Sequence, residues 1–180
     1  MELIDSKATK LILEILSSGR EMSLATVRPD GYPQATVLNY ASDGLALYAA
    51  IGLDSQKAHN IQQNHKVSLT IVPHVPVRVP IRALSMGATA SFVTGREQIS
   101  DVAARLLKRY PDFQHVLSGT EGDPWGGIVF LRIVPQVISL LDYARGFGHT
   151  DLYSVPTQLY PATSGSLRPA APAARHVSQI

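Results

Sequence analysis

The stretch Met22-Ser23-Leu24-Ala25-Thr26-Val27-Arg28-Pro29-Asp30-Gly31-Tyr32-Pro33-Gln34-Ala35-Thr36-Val37-Leu38-Asn39-Tyr40 reads as two strands around one tight turn. Pro29 presets its own φ and Gly31 tolerates a positive one, so Pro29-Asp30-Gly31 reverses the chain. Residues 22–28 and 34–40 are the outgoing and returning strands. Ser42-Asp43-Gly44 makes a second turn, and residues 45–51 supply a third strand. Three strands joined by tight turns predict an antiparallel meander rather than a parallel βαβ sheet.

Upstream lies a helix. Asp5 or Ser6 caps it and Gly19 ends it. Ala8, Leu11, Ile12, Ile15 and Leu16 recur on one face, with Lys10 and Glu14 on the other. Downstream, Asp54 or Ser55 caps a short helix running to about Asn64, and residues 66–72 form a fourth strand. Pro73, Pro76 and Pro80 mark a loop or irregular edge, since proline cannot donate within a ladder. Residues 81–94 read as a long strand with a plausible bulge at Gly87. A helix follows over 97–110, with a short helical piece at 111–117. Residues 128–134 and 136–141 read as the last strands, broken at Pro135. The order predicts a mainly β fold with inserted helices: a six-stranded antiparallel split β-barrel.

Composition bounds the function. A chain of 180 residues is one domain's length. Sixteen Lys and Arg against 14 Asp and Glu leave a net charge of +2, and no long basic run suggests a nucleic-acid groove. With no cysteine, disulfides, thiolate catalysis and Cys-ligated zinc are excluded. The apolar run at 11–16 is broken by Glu14 and is far shorter than the ~20 residues of a membrane span. No signal-peptide pattern is present, so the expectation is a soluble, cytoplasmic protein without nucleic-acid or membrane partners. Beyond residue 154 the chain has four prolines and no acidic residue. Residues 1–151 are therefore read as the folded domain, and 152–180 as a Pro/Ala-rich tail, mobile or wrapped on a partner.

Several chemistries find no motif. There is no Gly-x-Ser-x-Gly elbow and no Walker loop. Gly146-Phe147-Gly148 lacks the third glycine of a dinucleotide fingerprint. His59 and His65 are six apart and fall on different helix faces, so no metal site is expected. The informative segment is Ser55-Gln56-Lys57-Ala58-His59-Asn60-Ile61. A helix start offers unpaired N–H groups and a partial positive charge, and Lys57 adds a full one. That combination suits a phosphate monoester. It equally suits a plain helix cap with a solvated lysine.

Ser55-Gln56-Lys57-Ala58, followed by Asn64-His65-Lys66-Val67-Ser68-Leu69, resembles the FMN-phosphate segment of the pyridoxamine 5′-phosphate oxidase-like, FMN-binding split-barrel superfamily. The family pattern is Ser-Arg-Lys-Ala, a helix, then Asn-Pro-Arg-Val-Ser/Ala-Leu. Residues 22–27 with Asp30-Gly31-Tyr32-Pro33 resemble that family's opening hairpin, and the resemblance extends over about residues 1–142. It implies that Thr36, Val37 and Asn39 line a flavin, and that Ala50 and Ile51 stand at the strand end beside it. Ser55, Gln56 and Lys57 would hold the phosphate, and Arg82 would approach the flavin's polar edge. Ile51 replaces a frequent Thr and Gln56 a frequent Arg, so the phosphate grip is reduced. The run 142–151 resembles a signature of uncharacterised family members, in which Arg145 and His149 would reach a substrate across a dimer interface. Trp125 stands near the flavin or is a packed aromatic.

The function implied is an FMN-dependent oxidoreductase, homodimeric, acting on a small molecule, with the flavin supplying the electron chemistry. The alternatives are a non-catalytic flavin sensor, a heme-binding relative with His149 as axial ligand, or a deazaflavin-binding relative. The Arg-rich substrate segment of true pyridoxamine phosphate oxidases has no counterpart, so that activity is expected to be absent or slow.

Overall fold

The computed structural model describes residues 1–73, 80–114 and 126–160. Pro76, Trp125, the second half of the helical piece expected at 111–117 and the tail beyond residue 160 lie outside them. The elements run β1 (Glu2–Leu3), α1 (Ser6–Ser18), β2 (Glu21–Val27), β3 (Pro33–Asn39), β4 (Ala41–Asp43), β5 (Ala46–Gly52), α2 (Gln56–Gln63), β6 (Lys66–Ile71), β7 (Arg82–Phe92), α3 (Arg96–Arg109), β8 (Ile128–Asp142) and β9 (Thr150–Ser154). Short 3-10 turns follow α3, β8 and β9 at Pro111–Phe113, Tyr143–Arg145 and Thr157–Leu159. No described helix is long and apolar enough to cross a membrane.

The fold is mainly β with a few helices, but the strand count and closure differ from expectation. Among the described residues nine strands form one sheet in the order β1-β9-β8-β7-β6-β2-β3, with β5 joined to β4 and β8. No ladder returns from β3 to β1 among the described residues, so the sheet is open, an arrangement consistent with a split barrel. It is not wholly antiparallel, because β1 runs parallel to β9. The two- and three-residue strands β1 and β4 are too short for any alternation to announce them. β9 crosses the boundary expected at residue 151: Tyr153 pairs with Ile138, and Val155 beyond it is buried.

The hairpin of β2 and β3 pairs over its full length, Glu21 opposite Asn39 and Val27 opposite Pro33. The meander does not continue to β5, whose ladders are with β4 and with the first half of β8. Nor is β8 broken at Pro135. It is one 15-residue strand. Gly87 faces Val137 and Ala88 faces Pro135, so Gln136 is the extra residue of a bulge, and its carbonyl accepts from the Val155 amide at 2.9 Å. A bulge is where a ladder tolerates a residue without an N–H.

One row of side chains shows how the sheet makes its core. Leu24, Leu69, Met86 and Ile138 are opposite one another on β2, β6, β7 and β8, and none exceeds 1% exposure. Each such side chain contributes roughly 1.5–3 kcal/mol by leaving water. The apolar stripe of α1 covers this face with Ala8, Ile12, Ile15 and Leu16. β5 is buried on both sides. Leu47, Ala49 and Ile51 enter the main core, while Tyr48 and Ala50 pack on a second cluster built by Val102, Ala103 and Leu106 of α3 with Phe130.

Arg109, at the end of α3, joins the two layers. It donates to the carbonyls of Leu16 at 3.1 Å and Ser17 at 3.2 Å, and to that of Gly19. α1 has no basic residue in its own last turn, so this distant arginine caps its negative end. The Tyr40 hydroxyl donates to two of these, the carbonyls of Leu16 at 2.8 Å and Gly19 at 3.2 Å. Gly19 must be small here: a Cβ would meet Ile71 Cγ2 and the Tyr40 hydroxyl at 2.7 Å.

Candidate functional site

The first half of the site begins where β5 ends. Gly52 turns the chain, with the Ser55 amide donating to its carbonyl at 3.1 Å. Ser55 stays extended at φ −72° and ψ 148°, and its Oγ accepts from the Ala58 amide at 3.3 Å, capping α2. Lys57, half-buried on the first turn, makes no hydrogen bond or ion pair among the described residues. A cation beside unpaired helix N–H groups is suited to an anion. Gln56 does not point its amide at that space. Its Nε2 donates to Asn60 Oδ1 at 2.9 Å. Ile51 is 4% exposed and belongs to the core, so it presents no group to a ligand, and Ala50 faces α3.

Asn60 had no sequence signal beyond its place in the motif. It is fully buried, and its Nδ2 donates to Thr26 Oγ1 at 2.9 Å and to Gln34 Oε1 at 3.1 Å. Thr26 and Gln34 face each other across the β2–β3 hairpin. Asn60 therefore fastens α2 to that hairpin through a polar network inside the core.

The next pair along the same face is Leu24 and Thr36. Thr36 thus ends the apolar row described above, on the terminal strand of the sheet. Its Oγ1 is buried and has no hydrogen-bond partner. A hydroxyl out of water and unpaired costs roughly 1–3 kcal/mol, so this atom calls for a polar partner. Val37 points to the opposite face and is 67% exposed, and Asn39 lies on that outer face too, half-buried. The edge of β3 away from β2 carries no ladder among the described residues.

The second half of the expected site lies elsewhere. Arg82 opens β7 and donates through Nε to Asp142 Oδ1 at 3.1 Å. Asp142 is buried. Burial alone would raise its pKa, but the Arg82 bond, the Ala144 amide and the charges of Arg82 and Arg145 outweigh it and hold the carboxyl below its ordinary value. Just beyond, Asp151 on β9 accepts from Arg145 with one oxygen and meets His149 Nε2 with the other at 3.2 Å. Phe147, at the tip of that turn, is 96% exposed beside Tyr143.

The structure links Gln56, on the Ser55–Lys57 turn, through Asn60 to Gln34 on the strand of Thr36, and gathers Arg82, Arg145 and His149 around Asp142 and Asp151. Phe92, level with the β5–β8 ladder, and Arg82 stand at opposite ends of the 11-residue β7. At about 3.3 Å per residue that is roughly 33 Å. A separate groove of about 1040 Å³ lies between α1, the β4–β5 turn and the last 3-10 turn, lined in part by Lys10, Glu14, Asp43, Tyr48 and Tyr160. It includes none of the expected site residues.

Comparison with solved structures finds the same fold. A conserved hypothetical protein of Mycobacterium tuberculosis superposes with a TM-score of 0.64 at 24% identity, over 83% of this chain and 93% of that one. HutZ, the heme storage protein of Vibrio cholerae, gives 0.58 at 21% identity, over 75% and 91%. A heme-binding protein of Mycobacterium smegmatis gives 0.68 at 16% identity, over 84% of this chain and 60% of that one. At these identities the likeness is one of fold. No curated protein matches the sequence. The family model described as pyridoxamine 5′-phosphate oxidase matches residues 8–139, well over half of the 180, and with the Ser55–Lys57 helix start and the β2–β3 hairpin inside that span the chain belongs to this family.

Proposed function

We propose that the protein is an FMN-binding flavoprotein, a homodimeric oxidoreductase acting on a small molecule. The observation that carries this reading is Lys57, a cation without a partner among the described residues, on the capped first turn of α2. Lys57 and the free N–H groups after Ser55 would hold the phosphate. The unpaired hydroxyl of Thr36, with the open edge of β3 beside it, fits the polar rim of a flavin ring. A bound flavin would supply the electron or hydride transfer itself. The chain's own residues bind, orient and shield it. Arg82, Arg145 and His149 make no hydrogen bond or ion pair with Lys57 within one chain; their partners are Asp142 and Asp151. A second copy would bring them to it, which is the reason for proposing a dimer.

One observation favours a second reading, heme binding. His149 is hydrogen-bonded to Asp151, and metal-ligating imidazoles are commonly oriented by a carboxylate. Two of the structural neighbours are named as heme-binding or heme storage proteins.

The absorption spectrum of the purified full chain separates the two, flavin bands against a Soret band. Titration by flavin fluorescence then tests the phosphate assignment. Lys57→Ala removes a charge-assisted hydrogen bond and is expected to weaken FMN about 10- to 150-fold. Riboflavin, which has no phosphate, stays within about twofold. Equal loss of both ligands, or of neither, overturns the assignment.

A further inference from the structure

We propose that Asn60 is a positioning residue that sets the phosphate-holding turn of α2 at a fixed distance from β3. The proposal rests on the FMN reading above and deepens it. Three of Asn60's four hydrogen-bonding capacities are used in three directions. Oδ1 takes Gln56 Nε2 from the first turn of α2, while Nδ2 serves Thr26 on β2 and Gln34 on β3. Gln56 sits between Ser55 and Lys57, so the first link clamps the segment assigned to the phosphate. Gln34 is the same-face neighbour of Thr36, so the third link clamps the strand assigned to the ring. Asn60 stands about 7.5 Å along the helix from Ser55, at about 1.5 Å per residue. It therefore holds the helix from within the core, where its own amide touches no ligand.

The arrangement also accounts for Gln56. Its amide is occupied by Asn60, so at this position the chain holds a link of the scaffold instead of a phosphate ligand. The apolar residues that α2 buries are Ala58 and Ile61, and apolar contact is non-directional. Hydrogen bonds are directional. Uniqueness of position is what a buried amide bonded in three directions adds to packing.

The test is the ratio of FMN to riboflavin affinity in the purified full-length protein. Asn60→Leu keeps the branching of the side chain and removes every bond. Thr26→Val is isosteric and removes one acceptor, whereas Thr26→Ser keeps it. Asn60→Leu and Thr26→Val are expected to weaken FMN about 5- to 30-fold, with riboflavin within about twofold and Thr26→Ser close to wild type. A general loss of structure would move both ligands together, and that result overturns the proposal. So does an unchanged ratio in Thr26→Val while Lys57→Ala abolishes the preference for FMN, which leaves the FMN reading intact. If the wild type shows no preference for FMN over riboflavin, the reading and the proposal fall together. Should Asn60→Leu fail to fold, the Thr26 pair decides.

Discussion

Thr36 shows how much one atom can carry. A β-branched residue in a strand needs no functional explanation. The sequence alone therefore could not tell a ligand contact from a good strand former. Its place at the end of the Leu24–Leu69–Met86–Ile138 row, with a buried and unpaired Oγ1, makes the distinction. Thr36→Val exchanges that hydroxyl for a methyl of the same shape. Without flavin, the variant is expected to be as stable as the wild type or more so, by up to about 1–2 kcal/mol, because a buried unpaired group is removed. With FMN, it is expected to bind more weakly. Thermal melts with and without FMN check both halves. A ligand-free variant that melts several degrees lower would mean that the hydroxyl already has a partner in solution.

At the scale of elements, local chemistry was legible and distant pairing was not. α1 runs from the Asp5 cap to Gly19 because a capping carboxylate, an apolar stripe and a terminal glycine agree within a few residues. The β2–β3 hairpin was readable for the same reason. The partner of β5 was not, because it is β8, far along the chain. Pro135 misled because its cost depends on whether a bulge receives it, which is a property of two strands. The motif at Ser55 and Lys57 could be read from spacing, whereas Asn60 could not, since its partners are 34 and 26 residues away. The Arg82–Asp142 pair closes the β7–β8 ladder, and it makes a prediction about pH. The Asp142 carboxyl is held below its ordinary value in the folded state, so the unfolded chain takes up its proton first. The pair's contribution is therefore full above the unfolded value of about 3.9 and is lost as pH falls through the lower folded one. With Arg82 at 40% side-chain exposure, Asp142→Asn is expected to cost roughly 1–2 kcal/mol at pH 7. Urea unfolding at pH 7, 5 and 3 should show the gap to the wild type closing at the lowest pH. A constant gap would assign the loss to packing.

At the scale of the molecule, the proposed pair of chains would join the Lys57 turn of one copy to the Arg82 end of the other. Sedimentation at micromolar concentration is expected to show a dimer, and a species of only 19.5 kDa would contradict it. Mixing variants tests the geometry more directly. Lys57→Ala and Arg82→Ala are each expected to bind FMN weakly alone. If each site takes Lys57 from one copy and Arg82 from the other, a mixed dimer holds one site with both changes and one with neither. Random exchange then restores about a quarter of the tight sites, as two-fold symmetry requires. No recovery would place both residues' roles within a single chain. The same long-range ladders also set the order in which a newly made chain can fold. β5 meets its main partner only when residues 128–133 exist, and Glu2 waits for Tyr153. Until the ribosome has passed β8, the apolar face of Leu47, Ala49 and Ile51 stays without its strand partner. A chain built this way completes its core ladder late, and its apolar strands are open to aggregation until it does.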